Sequence, residues 1–292
     1  MTSLDVSIHL RTCVRCARLA KQDAEKQGRP KVTVVGVWQK SREFVHSFHD
    51  EISGPQRPQL AFREVVVLLV TAILLVVYFY FGKASYFTER IRPGLLESGA
   101  FTGKDPMWFG LSSYVYWAAA SLFLRFVIPL AVIVVVFRES PTHWGFGLGS
   151  LRHAWLYLSL FAAMVPILTL ASLDPAFQDK YPFYKAASDG GQVFWLYEVC
   201  YGLQFLALES FFRGFLLFGL YQRFGHYAVF IMVVPYCMVH FGKPMPETLG
   251  AIAAGIILGT LALKSGSIYL GALLHWGVGL TMDLLASPNI KF

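Results

Sequence analysis

The chain has 292 residues, of which 55% are hydrophobic and only 15% charged, with a formal net charge of +7 and a mean hydropathy of +0.52. Soluble domains carry about 25% charged residues, so this composition excludes an ordinary soluble globule and points to lipid as the main solvent. Four cysteines are too few for a disulfide scaffold, the apolar content excludes disorder as the general state, and the positive charge reads as membrane orientation rather than nucleic-acid binding.

Residues 1–63 form a polar tail with ten Lys/Arg up to Arg57 and no apolar run that would serve as a signal-peptide core. The Cys13-Val14-Arg15-Cys16 spacing lacks two further well-spaced zinc ligands, since only His9, His46 and His49 are scattered nearby. Arg11, Arg15 and Arg18 share one helical face, which suits a basic amphipathic helix on anionic lipid, with a disordered tail as the alternative.

From residue 64 to 292 apolar stretches recur, and a bilayer core needs about 20 residues of helix to cross it. Seven candidate spans follow: 65–82, 111–137, 152–173, 192–220, 226–242, 248–264 and 268–286. They predict an all-α polytopic transmembrane helix bundle preceded by the basic tail. Pro129, Pro166 and Pro235 fall inside spans, where each removes a helix hydrogen bond and kinks its helix. Gly250, Ala254, Gly255 and Gly259 place small residues a turn apart, which makes a packing face for another helix. The Lys/Arg bias of the tail predicts a cytoplasmic N-terminus, although Lys83, Arg90, Arg92 and Lys104 in the next loop work against it.

Ionisable residues inside spans are costly in hydrocarbon and mark polar cavities. Glu209 and Arg213 lie four apart and can pair across one turn. Glu198 returns to nearly the same face roughly 16 Å away, a position that suits the membrane interface. If spans four and five turn near Arg223 to Gly225, Glu209 and His240 both lie roughly 21 Å deep. A turn near Ser265 to Ser267 then puts His275 about 14 Å in and Asp283 about 25 Å in. Gly271, His275, Gly279 and Asp283 recur every four residues as a stripe. A carboxylate and a histidine can share a water as general base, while a second histidine and a polar partner stabilise an oxyanion.

Glu209 to Gly214, read as Glu-x-x-x-Arg-Gly, then Tyr236-x-x-x-His240, then His275, resembles the CAAX protease and bacteriocin-processing (CPBP, Abi) family of intramembrane endopeptidases, over residues 110–290. The resemblance implies a helical membrane bundle whose glutamate and first histidine activate a water, with the second histidine and an asparagine one turn later holding the oxyanion. Two positions depart from that pattern. Leu208 stands where the family has the first of two adjacent glutamates, and Gly279 where it has the asparagine, with Asp283 one turn further on. Glu209 itself, or Glu247 folding back from the Gly242–Pro246 loop, can then supply the carboxylate, although Glu247 also suits the first turn of the sixth helix.

Glu209, His240 and His275 would suffice chemically as zinc ligands, and family members are labelled metalloproteases for that reason. Arg213 opposes a cation there, so a metal-independent reaction without cofactor is the expectation. The partners expected are the bilayer and a membrane-associated protein or peptide substrate. The alternatives are a non-catalytic scaffold of the same fold, in which Leu208 and Gly279 record lost chemistry, and a transporter.

Overall fold

A computed structural model describes residues 61–101 and 105–287; the tail motifs around Cys13 and Cys16, the histidines beside them and the basic face lie outside the described residues. Seven principal helices follow one another: α1 (Phe62–Phe81), α2 (Pro106–Val136), α3 (Leu151–Ala171), α4 (Gly191–Phe224), α5 (Tyr227–Met238), α6 (Met245–Ser265) and α7 (Tyr269–Leu285). Among the described residues α1, α2, α3, α4 and α6 are long and apolar enough to cross a membrane, and the fold is an all-α polytopic membrane bundle.

The fifth and seventh predicted spans are shorter than the sequence suggests, with 12 residues in α5 and 17 in α7. The α5 helix carries Pro235 and unwinds after Met238 into a turn that holds His240. Such irregular backbone is tolerated at depth where protein surrounds it.

Local chemistry sets the helix ends. Asp105 caps α2, its side chain accepting from the amides of Met107 and Trp108 at 2.9 and 3.3 Å, with Pro106 at the first position, where its missing N–H is harmless. Around Pro129 the helix loosens into wider turns at Phe123–Val127 and Val132–Val136, which accommodate the lost amide and the ring. The α4–α5 turn falls at Gly225 (φ 53°) and the α6–α7 turn at Gly266 (φ 67°), both conformations that glycine adopts without a Cβ clash.

The α4 helix is apolar on most of its surface and is largely buried, which makes it the central rod. It packs against α2 and α7 and, through its last turns, against α5. The α3 helix packs on α7 and leaves most of its length facing outward, as a lipid-facing helix does. Gly255 and Gly259 bring α6 onto α5: a Cβ at either would lie 2.9–3.0 Å from Val233 and Met232. The predicted packing face is therefore real at these two positions.

One end of the bundle is closed by Trp144. Its ring stacks between Phe137 at 5.4 Å and Phe215 at 5.9 Å, and its Nε1 donates to Glu139 at 2.8 Å. Arg63 at the start of α1 lies over that ring and bonds Glu139 with both terminal nitrogens. This ties α1 to the α2–α3 connection and leaves the middle of α4 free to present polar groups elsewhere.

Candidate active site

The α4 helix brings Glu209 and Arg213 to the interior, where neither is more than 1% exposed. Directly after Glu209 the helix widens over Ser210–Phe218, a local unwinding of the kind found at functional sites. An Arg213 terminal nitrogen lies 3.0 Å from Glu209 Oε1. The guanidinium also sits 4.1 Å below the centre of the Tyr236 ring. Its nitrogens make no well-aligned hydrogen bond, so charge and ring contact hold the pair.

The α7 helix supplies His275. Its Nδ1 donates to the same Glu209 oxygen at 2.9 Å, and its ring stacks on Phe205 of α4 at 4.7 Å and 20°. A carboxylate can only accept, so this bond fixes the proton on Nδ1 and leaves Nε2 of the neutral ring as an acceptor. The Tyr236 hydroxyl of α5 lies 3.4 Å from that Nε2 and donates to it. Gly271, one turn before His275, leaves the space that the carboxylate fills: a Cβ there would lie 3.0 Å from Glu209 Oε2. Because Arg213 and His275 both pin that carboxylate, it cannot retreat, and Gly271→Ala is expected to lower stability by about 1–3 kcal/mol in thermal unfolding of the detergent-solubilised protein.

His240 stands in the turn after α5, 9% exposed. Its Nδ1 donates to the Tyr236 carbonyl oxygen at 2.9 Å, and its ring meets the Tyr236 ring edge-on at 4.9 Å. A carbonyl accepts only, so His240 too keeps an unprotonated Nε2. Thr248 Oγ1 bonds the His240 carbonyl at 3.0 Å and fixes the turn from the α6 side. Tyr236 thus lies between two imidazoles, each tied at Nδ1. The His275 side chain is 16% exposed against 1% for Glu209, so the histidine is the more open member of the pair.

Three other predicted residues are placed differently. Asp283 is fully buried, two turns beyond His275 on α7, and neighbours Glu198 on α4. Glu198, which the sequence suggests for the membrane interface, is fully buried as well, and its Oε2 accepts from Trp276 Nε1 at 3.1 Å. Helix α4 packs on α7 along this stretch and so covers it. Glu247 occupies the first turn of α6, paired with Lys243 and accepting from the Tyr181 hydroxyl at 2.9 Å. Burial and then the Glu247 charge push the Tyr181 phenol well above its ordinary range. Glu247 is thus engaged by Lys243 and Tyr181.

The two departures from the family pattern have visible surroundings. Leu208 is buried in the main apolar cluster with Phe211, Phe212 and Tyr236. At Gly279 a Cβ would meet the Phe205 ring at 2.8 Å and Tyr201 at 3.1 Å. The ring that braces His275 therefore occupies the space that a side chain at 279 would need. Sequence reasoning quoted Tyr236 within its motif without giving it a role, and it did not single out Phe205. Tyr236 carried a signal, a tyrosine one turn before a membrane histidine, whereas Phe205 reads as one apolar residue among many.

Among the described residues no group of three or more His, Cys, Asp or Glu side chains gathers closely enough to hold a metal ion. Glu209 Oε1 is already shared by a guanidinium and an imidazole N–H, an arrangement that does not suit a cation at the three residues that would suffice chemically as zinc ligands. What the cluster can do is proton chemistry: it holds a carboxylate-backed imidazole, a second imidazole and a phenol whose ring lies beside both.

Residues 191–281, which hold Glu209, Arg213, His240 and His275, match the family model described as Rce1-like, type II CAAX prenyl endopeptidase Rce1-like. No curated protein and no solved structure matched the chain. The segment that builds this site is therefore similar to the type II CAAX prenyl endopeptidases that this model describes.

Proposed function

We propose that the protein hydrolyses a peptide bond of a membrane-associated protein or peptide, using water activated within the bundle and no metal. The observation that supports this best is the Glu209–His275 contact of 2.9 Å, beside His240 and inside the matched segment. A carboxylate that accepts from Nδ1 orients the ring and raises the basicity of Nε2. His240, tied at Nδ1 to the Tyr236 carbonyl, offers a second acceptor. Two imidazole nitrogens can hold one water by both its hydrogens and leave its lone pair for the carbonyl carbon.

This reading shifts the roles that the family resemblance implies. Glu209 works through the second histidine instead of the first. Arg213 neutralises the carboxylate and keeps it in place. Glu247, engaged by Lys243 and Tyr181, is left at the rim, and Asp283 with Glu198 forms a separate buried pair. The protein is an integral membrane protein, and we place its N-terminal tail on the cytoplasmic side, from its basic charge.

A non-catalytic scaffold of the same fold is the second reading, favoured by Leu208 in the apolar core and by the filled space at Gly279. The two separate in cells by mass spectrometry of membrane-protein termini. A protease gives shortened termini that disappear with His240→Ala or Glu209→Ala and persist with Glu247→Gln. Unchanged termini in the first two variants, with both proteins still in the membrane, would mean a scaffold.

A further inference from the structure

We infer that the Tyr236 hydroxyl is the oxyanion donor of this site, in place of the amide that the chain lacks at Gly279; this rests on the hydrolytic reading above. A tetrahedral intermediate needs a hydrogen-bond donor aimed at the developing negative oxygen. Neither histidine supplies one in its neutral form. The Nδ1 proton of His275 is committed to Glu209 and that of His240 to the Tyr236 carbonyl, so both present only a lone pair. At position 279 there is no side chain, and the Phe205 ring would collide with one. Among the described groups that border both rings, the phenol of Tyr236 is the uncharged O–H donor.

Its setting suits that role. Tyr236 is 1% exposed, so its hydroxyl acts in a medium where a hydrogen bond to an anion is strong. Arg213 lies 4.1 Å from the centre of the ring and adds a positive field at the phenol. The hydroxyl rests 3.4 Å from His275 Nε2, a long bond that a water competes for easily. When water takes that nitrogen, the O–H is released toward the substrate carbonyl.

The step balances without an added reagent. The water oxygen bonds the carbonyl carbon, its proton passes to His275 Nε2, and the carbonyl π pair moves to oxygen, where Tyr236 donates to it. Collapse re-forms the carbonyl, breaks the C–N bond, and the leaving amine takes the proton from His275. The products are a carboxylic acid, which ionises, and an amine.

The test uses the full-length protein in liposomes, a library of lipid-anchored peptides, and a phosphonate analogue of the peptide cleaved fastest. Tyr236→Phe should lower kcat about 10²–10³-fold, the effect of losing one oxyanion donor, with KM within about threefold of wild type. It should also weaken phosphonate binding and leave binding of the uncleaved peptide unchanged, an asymmetry that a merely structural role would not give. Wild-type cleavage with Tyr236→Phe equally fast, or with both ligands weakened alike, overturns the assignment and leaves the protease reading intact. A wild-type protein that cleaves no peptide of the library overturns both.

Discussion

Glu209→Gln is expected to abolish hydrolysis and to destabilise the fold together, because one carboxylate serves both. The substitution keeps the shape and removes the charge. Arg213, fully buried at 3.0 Å from Glu209 Oε1, is then left without its counter-ion, and breaking a buried pair in this way costs about 3–5 kcal/mol. His275 loses the anion that orients it and strengthens Nε2, and loss of positioned acid–base help lowers kcat about 10²–10⁴-fold. The two effects separate in the double variant Glu209→Gln/Arg213→Met. Removing the orphaned cation should recover much of the unfolding midpoint, since apolar replacements of buried pairs are well tolerated. Activity should stay lost. Recovery of both together would mean that the carboxylate only holds the helix in place.

Leu208→Glu is the second large effect, and its sign is counter to what the family pattern suggests. It restores the paired glutamates, yet the new carboxylate enters an apolar cluster with Phe211 and Phe212. Arg213 is already paired with Glu209. An unpaired buried charge of this kind costs about as much as a broken buried pair, 3–5 kcal/mol. The variant should unfold at a markedly lower temperature in nanodiscs and cleave no faster than wild type. Faster cleavage would show that position 208 faces the reacting water and that the base is not the Glu209–His275 pair.

The helices and turns were legible because they rest on local rules. Apolar length marks the spans, and glycines at 225 and 266 mark the two turns that align Glu209, His240 and His275 in depth. The Glu209–Arg213 pair was legible for the same reason, since four residues is a fixed spacing on any helix. Partner choice was not. Depth says nothing of rotation about the helix axis, so Glu209 could have met either histidine. Asp283 shows the limit most clearly. A four-residue repeat overshoots a full turn by about 40°, so Asp283 points about 80° away from His275 and lies about 12 Å further along. That rotation turns it to Glu198. Burial of Glu198 was equally hidden, because a glutamate two turns into a span reads as interfacial until a neighbouring helix covers it. The short α5 was hidden too, since Pro235 marks a kink in the sequence but not whether the helix resumes.

Isotope labelling of the hydrolysed bond tests the central claim most directly. Native membranes are incubated with purified protein in water enriched in oxygen-18, and the peptide termini are read by mass spectrometry. Hydrolysis by water held at Glu209–His275 predicts new carboxyl termini that carry the heavy oxygen with wild type and are absent with His275→Ala. New labelled termini of equal abundance with His275→Ala, or none with wild type, would contradict it.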